Sequence, residues 1–443
     1  MHRRDFLASL TGLTAATAGC LGGGDDGSRT NTDGSETHTD RTRTATARPS
    51  ATESPTTGTA TRRATATSAP PDAEVYRETS SGTDPGAFVA EHTYSGEVYR
   101  GDDFIVAMQS AVDSLSEDRL SKESVLVRCS GDTGPHEWDG DTKGVDIPDY
   151  TTFACAPDAT INVTDTGEPL IIPIRLPGSS HVDIPRINIT GNPRYAMNLA
   201  SVTDVSIGTA DIRARADSDA GLGIRIDAGG GSRSQDVSID YAYVEGINSH
   251  AVETAGLDGF RVWTAVETVD TGGCGLLLNS TTDATVETVD ATRANEGGGY
   301  AGFRCANDAG PNITVNEVRA VDCGRGVFTV SGSRGIEIND VYLDGNGGNL
   351  IQDTREMVID GGTVTNTASS GIRIDSRSSD KHPHTKNVTV RNLDITDNLR
   401  YGVYETGPDT EQNAILDCSF CDNADGAIER YAATTSRSGN TDC

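Results

Sequence analysis

A chain of 443 residues has room for two or three domains, or for one long repeat array. Its 66 acidic residues against 36 basic ones give a net charge of −30; four of the basic residues are lysines (Lys122, Lys143, Lys381, Lys386), leaving 36 − 4 = 32 arginines. That field repels nucleic acid and anionic lipid, so neither is an expected partner.

The chain opens with Arg3-Arg4-Asp5-Phe6-Leu7 and a weakly apolar stretch from Ala8 to Ala18, followed by Thr17-Ala18-Gly19-Cys20. The first segment resembles a twin-arginine export signal, which implies export in the folded state. The second resembles a lipobox, which implies that residues 1–20 are a signal and that Cys20 becomes a lipid anchor. The expected location is the outer face of the cytoplasmic membrane, at the cell surface; a plain signal peptide cleaved elsewhere is the alternative. There is no run of about 20 apolar residues, so no spanning helix is expected. Residues 21–75 are Thr, Ser, Gly, Ala, Asp, Arg and Pro with almost no large apolar side chain. Such a segment cannot offset its ordering entropy and is expected to be a disordered tether. The acidic, lysine-poor composition resembles that of proteins from salt-loving archaea, in which carboxylates keep the surface hydrated.

Folded structure is expected from about Ala87, with a cap and first coils over residues 87–200. Asp102-Asp103 followed by Phe104, Met108, Ala111, Val112 and Leu115 places apolar residues at helical spacing behind an N-capping acid. Short apolar runs follow: Ser124-Val125-Leu126-Val127-Arg128-Cys129, Val145-Asp146-Ile147-Pro148, Thr152-Phe153-Ala154-Cys155 and Thr160-Ile161-Asn162-Val163. This order resembles the entry to the pectate-lyase-like right-handed parallel β-helix superfamily, and implies that the helix covers the N-terminal end of a coil stack. The usual Gly-Thr-Val-(Tyr/Phe)-Pro strand is missing.

From 201 to 432 a pair of apolar residues separated by one returns nine times, its second member at Ile207, Ile239, Val262, Val286, Val315, Ile338, Ile359, Val390 and Leu416. Intervals of 21 to 32 residues are too short for a unit that buries a face by itself, so neighbours must stack. Further apolar residues at +3 and +5 (Val318 and Ala320, Val341 and Leu343, Leu393 and Ile395) share one strand face. A turn and a glycine then precede another strand, at Gly223, Gly275, Gly371 and Gly402, where the expected role of glycine is a positive-φ corner. Helical 3.6-residue spacing does not recur between the strands, which excludes a doubly wound α/β fold. The expected fold is all-β: a right-handed single-stranded parallel β-helix of about nine or more coils, an N-terminal capping helix, and a tail at 433–443.

Beyond Cys20, eight cysteines (129, 155, 274, 305, 323, 418, 421, 443) suit an oxidising exterior. A disulfide from Cys418 or Cys421 to Cys443, or buried thiols, is the expected use of the Cys418-Ser-Phe-Cys421 pair. Asn162, Asn188, Asn279, Asn312 and Asn387 each head a glycosylation sequon.

On stacked coils a residue type repeating in register builds a site from distant sequence. The position four after the corner glycine carries Asp227, Glu253, Asn279, then Asp353 and Asp375, with Arg225 and Arg373 beside the acids. Asp353 and Asp375, about one coil apart, are the candidate Ca²⁺ ligands of a polysaccharide lyase, in which a cation against a uronate carboxylate acidifies the C5 proton; paired acids alone suit a glycoside hydrolase. A solvated acidic ladder is the competing reading. The insertion 376–387 places His382, His384, Lys381 and Lys386 beside the acid pair. Its Asp380 and His382-Pro383-His384 resemble the Asp-Pro-His stretch of mannuronan epimerases, without the family's preceding Tyr-Gly; the resemblance implies a catalytic set of Asp353, Asp375, Arg373, His382 and His384. A polar loop or a weak metal-binding histidine pair are the alternatives. Arg400, Tyr401, Tyr404 and Glu405 on the next coil are candidate sugar-binding residues. Glu405 and Glu429 fall where other coils place inward residues. The expected partner is a polysaccharide or cell-surface glycan, bound and then cleaved or epimerised; a non-catalytic envelope or adhesion protein with a glycan-binding face competes with this. A copper-enzyme maturation factor is weaker, because no Met/His-rich site supports it.

Overall fold

A computed structural model describes residues 70–79, 86–136, 142–164, 170–215, 219–382 and 384–443. The expected signal, Cys20 and most of the tether lie outside these residues.

Over the described residues the chain is a right-handed parallel β-helix with a single α-helix. The apolar pairs stack rung on rung: Ile207 faces Ile239, then Val262, Val286, Val315, Ile338, Ile359 and Val390. The ninth rung differs by one residue, since Val390 pairs with Ile415 and Arg391 with Leu416. Ile415 is fully buried, while Leu416 faces the other side of the strand with Arg391. Val318, Val341 and Gly362, and Ala320, Leu343 and Val364, continue the core along a second face. The strand that follows the glycines makes a third face.

Those glycines serve a different purpose from the one expected. Gly275, Gly371 and Gly402 do not have positive φ; a Cβ on Gly275 would lie 2.7 Å from the Gly302 carbonyl oxygen, and on Gly371 2.6 Å from that of Gly402. Close approach between rungs therefore selects glycine. The left-handed corners are taken instead by short polar residues such as Asp270, Asp322, Asp353, Asn366, Asp397 and Asp422, the residue types that tolerate positive φ best after glycine.

The helix α1 spans Phe104–Asp113, with Asp103 as N-cap accepting a 3.1 Å bond from the Val106 amide. It buries Phe104, Ile105, Met108, Ala111 and Val112, and Phe104 stacks on Phe88 at 4.8 Å. Ordered structure begins earlier than expected: Ala73–Arg77, which starts within the last residues of the expected tether, pairs antiparallel with Phe88–His92 and parallel with the first coil at Val125–Val127. Val75 is fully buried, which offsets the cost of ordering the strand. At the other end the expected tail forms strands Ser436–Ser438 and Thr441–Asp442, stacked on the last coil and tied by the Cys421–Cys443 disulfide. Cys418 is a buried thiol.

Candidate functional site

Register on the third face runs Asp146, Arg175, Asn198, Arg225, Glu253, Leu277, Arg304, Phe328, Leu350, Arg373, Tyr404, Glu429. Every member points outward, between inward neighbours such as Phe303 and Cys305. This column lies two residues after the glycine, and the position four after it forms the next outward column on the same face. Two placements change in consequence: Glu253 lies opposite Arg225, and Asp375 lies opposite Gln352 rather than Asp353. Glu429 is outward and exposed, whereas Glu405 is inward.

The middle of this column is electropositive in a chain of opposite charge. The Arg304 guanidinium sits between the Tyr300 ring (5.0 Å) and the Phe328 ring (4.7 Å), and that of Arg325 lies 4.5 Å from Phe328. Cys274, Leu277, Ala301, Ala306, Phe328 and Val330 make an apolar bed beneath them, separate from the coil core. Neither Arg304 nor Arg325 has a carboxylate partner among the described residues, and the Arg304 Nε is buried without a hydrogen-bond partner. Burial, with Arg304 and Arg373 close by, pushes the Arg325 guanidinium below its ordinary value. His250, edge-on to Tyr300 at 5.0 Å, is pushed down to about 4 by burial and by Arg304 and Arg225. Its Nδ1 accepts from the Cys274 amide at 2.8 Å, so the neutral ring carries its proton on Nε2. Like charges held on an apolar bed without counter-ions are what an anion-binding face requires.

Around this centre the column is self-neutralised. Arg225 bonds Asp227 and Glu253, and burial raises the Glu253 carboxyl. Arg373 bonds Asp375 at 2.7 Å, while Gln352 and the Ser376 amide also donate to Asp375. On the next rung Tyr401 and Tyr404 stack at 5.6 Å, with the Arg400 guanidinium 5.6 Å from Tyr404 and its Nε 3.2 Å from Asp425. Glu405 is sealed beneath the last coil, accepting from Asn413, Thr435 and the Ala432 amide. A buried carboxylate with three donors is part of the packing and does not reach a ligand on the face.

The histidines gather elsewhere. Asp353 occupies the corner after the third face, its side chain fully buried and bonded by the Arg377 amide (2.8 Å) and Arg377 Nε (2.5 Å). It pins the insertion back across earlier coils, where His382 packs against Gly332. His382, His384, Asp353, Lys381, Arg355, Lys386 and Gly332 line a cleft of about 80 Å³ that Asp375 and Arg373 do not enter. The predicted catalytic set therefore divides: Arg373 and Asp375 on the face with Arg400, Tyr401 and Tyr404, and Asp353, His382 and His384 at the corner. Asp353 and Asp375 are backbone neighbours, yet each carboxylate has its own arginine. Among the described residues no three His, Cys, Asp or Glu side chains come together as a metal site. This donor set does not fit Ca²⁺, which takes six or more oxygens.

The sequons also separate. Asn188 is buried, donating to the Pro157 and Ala159 carbonyls, whereas Asn162, Asn279 and Asn312 bond partners at the surface (Asp132, Asn307 and Asp283), and Asn387 is exposed.

Sequence reasoning missed Arg304, Arg325, Phe328, Tyr300 and His250. Counting two residues on from Gly302 and Gly326 reaches Arg304 and Phe328; Tyr300, two before Gly302, and Arg325, directly before Gly326, fall outside that count.

No protein-family profile matches the sequence, and no curated relative does. Among solved structures, the A-module of the Azotobacter vinelandii mannuronan C-5 epimerase AlgE4 is similar over 76% of this chain and 96% of that one, with a TM-score of 0.50 and 14% identity. The A-module of the same organism's mannuronan C-5 epimerase AlgE6 is similar over 77% and 95%, with a TM-score of 0.51 and 14% identity. At these identities the likeness is one of fold: this chain shares the parallel β-helix architecture of those modules.

Proposed function

We propose that the chain is a surface-anchored β-helix protein that binds an acidic polysaccharide along the third face and processes it by C5 proton abstraction or by hydrolysis. One observation carries the binding part: Arg304 and Arg325 stand without carboxylates on an aromatic and apolar bed, in a chain of net charge −30. Arginine forks suit sugar carboxylates, and the Tyr401/Tyr404 pair offers a ring face one rung beyond Arg373. The β-helix likeness to modules of enzymes named for mannuronan epimerisation supports a carbohydrate substrate. The lipobox-like segment at Cys20 supports the anchor.

For C5 abstraction, Arg304 and Arg325 would neutralise a uronate carboxylate and so acidify the adjacent proton. Tyr300, 5.0 Å from the Arg304 guanidinium, is the proton-transfer group beside that arginine, while Asp375, bonded to Arg373, and Tyr404, in register with Arg373, lie further along the same face. A second reading, glycan binding without turnover, is favoured by one feature: Asp227, Glu253 and Asp375 on this face are each bound to an arginine, so that carboxylate oxygens a base would use are already engaged. Incubating the full chain with uronate-containing and neutral polysaccharides separates the readings. Unsaturated products, new reducing ends or inverted C5 centres that disappear in Asp375→Asn support turnover. Binding with none of these products leaves the non-catalytic reading.

A further inference from the structure

The corner cleft has a chemistry that the third face does not use. In register along the strands after the corner, Arg334 stacks on Arg355, and Arg355 on Lys386, at the spacing of adjacent rungs. Stacked like charges repel, and in this chain, where acids outnumber bases, they are uncommon company. Arg334 and Arg355 have no ion pair among the described residues. The insertion then lays Lys381, His382 and His384 over the same cleft, so that two of the four lysines in the chain converge there.

The carboxylates present do not quench this charge. Asp353 is consumed by Arg377. Asp308 lies 3.4 Å from Lys381 and 3.9 Å from His382, and Glu411 lies 3.7 Å from His384 and 3.8 Å from Lys386. Both of these acids are on the rim, substantially solvated, and all four separations are longer than a close charge-assisted hydrogen bond. The donors thus keep free capacity. The His384 Nδ1, 3.7 Å from Glu411, has no hydrogen-bond partner among the described residues.

We propose that this corner cleft binds a tetrahedral oxyanion, the sulfate or phosphate ester of a glycan substituent. Two features select that class. Donors reach the cleft from a floor of two strands (Arg355, Lys386) and from the overlying insertion (Lys381, His382, His384), whereas a planar carboxylate is satisfied by a single fork. The cleft is small, about 80 Å³, which suits a charged substituent. The anion site stands on this geometry alone; its attachment to a glycan rests on the function proposed above.

Calorimetric titration of the full chain with sodium sulfate, phosphate and acetate, at an ionic strength held constant with chloride, tests it. Sulfate or phosphate is expected to bind once per chain, at least about tenfold more tightly than acetate. The double variant Arg355→Gln/Lys386→Gln should lose that binding, Lys381→Gln on the exposed insertion should weaken it several-fold, and Lys122→Gln, paired with Asp183 away from the cleft, should leave it unchanged. Unaltered circular dichroism of each variant establishes that it has folded. Absence of binding, equal binding of acetate, survival in the double variant, or loss in Lys122→Gln would each overturn the site. A sulfated glycan that binds no better than its desulfated form, while inorganic sulfate still binds, overturns only the glycan assignment.

Discussion

His250 is neutral because its protonated form would be buried beside Arg304 and Arg225, and that has a pH signature. Its pKa is lowered in the fold, from an ordinary 6.5 to about 4, so the unfolded chain binds the extra proton first. The contribution to stability is complete above about pH 6.5 and is lost as pH falls towards 4, an effect on the order of 3 kcal/mol. The difference in unfolding midpoint between pH 7 and pH 4.5 should therefore shrink in His250→Gln; an identical pH slope in the variant would contradict this. Burial also pushes Cys274 up to about 11 and Cys155 to about 12, so both should resist alkylation at pH 8 until the chain unfolds, with peptide mass mapping as the check. At this scale the sequence was only partly readable. Asp375 and Arg373 were recognisable as neighbours because two residues on one strand share a face. Arg304 and Arg325 were not, because their distinction is the lack of a partner, which only the folded register displays.

The insertion 376–387 is the element with the most consequence for function. Asp353 anchors its start through two bonds to Arg377, so Asp353→Ala should cost about 1–3 kcal/mol and open residues 376–387 to proteolysis, with the coils intact. If the cleavage pattern is unchanged, the insertion is held by other contacts. Residue 353 drew notice as an acid, but its neighbours on adjacent coils depend on insertion lengths that a repeat pattern does not fix. The last coil depends on the Cys421–Cys443 link, which closes a 22-residue separation. Cys443→Ser should remove about 3 kcal/mol of loop-closure stabilisation and speed amide exchange in 426–442 ahead of the remaining coils. Elements were the most legible level: inward apolar residues recur with each coil because stacking demands it, and α1 followed from its capping acid and spacing. The edges were not, since Ala73–Arg77 and Ser436–Ser438 are short strands whose stability comes from the coil that they pair with.

For the molecule as a whole, the question is where a strongly acidic chain concentrates uncompensated positive charge. Ion pairs between rungs, such as Arg233–Asp258, Arg293–Asp270 and Arg391–Asp360, use arginines locally along the coils. The Arg304/Arg325 patch does not follow that pattern, and composition alone pointed away from it, because a net charge of −30 averages over the surface and hides a local reversal. The central claim is that this patch holds an acidic glycan. Affinity of the full chain for a uronate polysaccharide, compared with that of Arg304→Ala and Arg325→Ala, tests it most directly. Each substitution should weaken binding about tenfold or more, with the wild-type affinity falling as salt rises and a neutral glycan binding more weakly throughout. Equal affinity in wild type and both variants, or no preference for the acidic polymer, would contradict it.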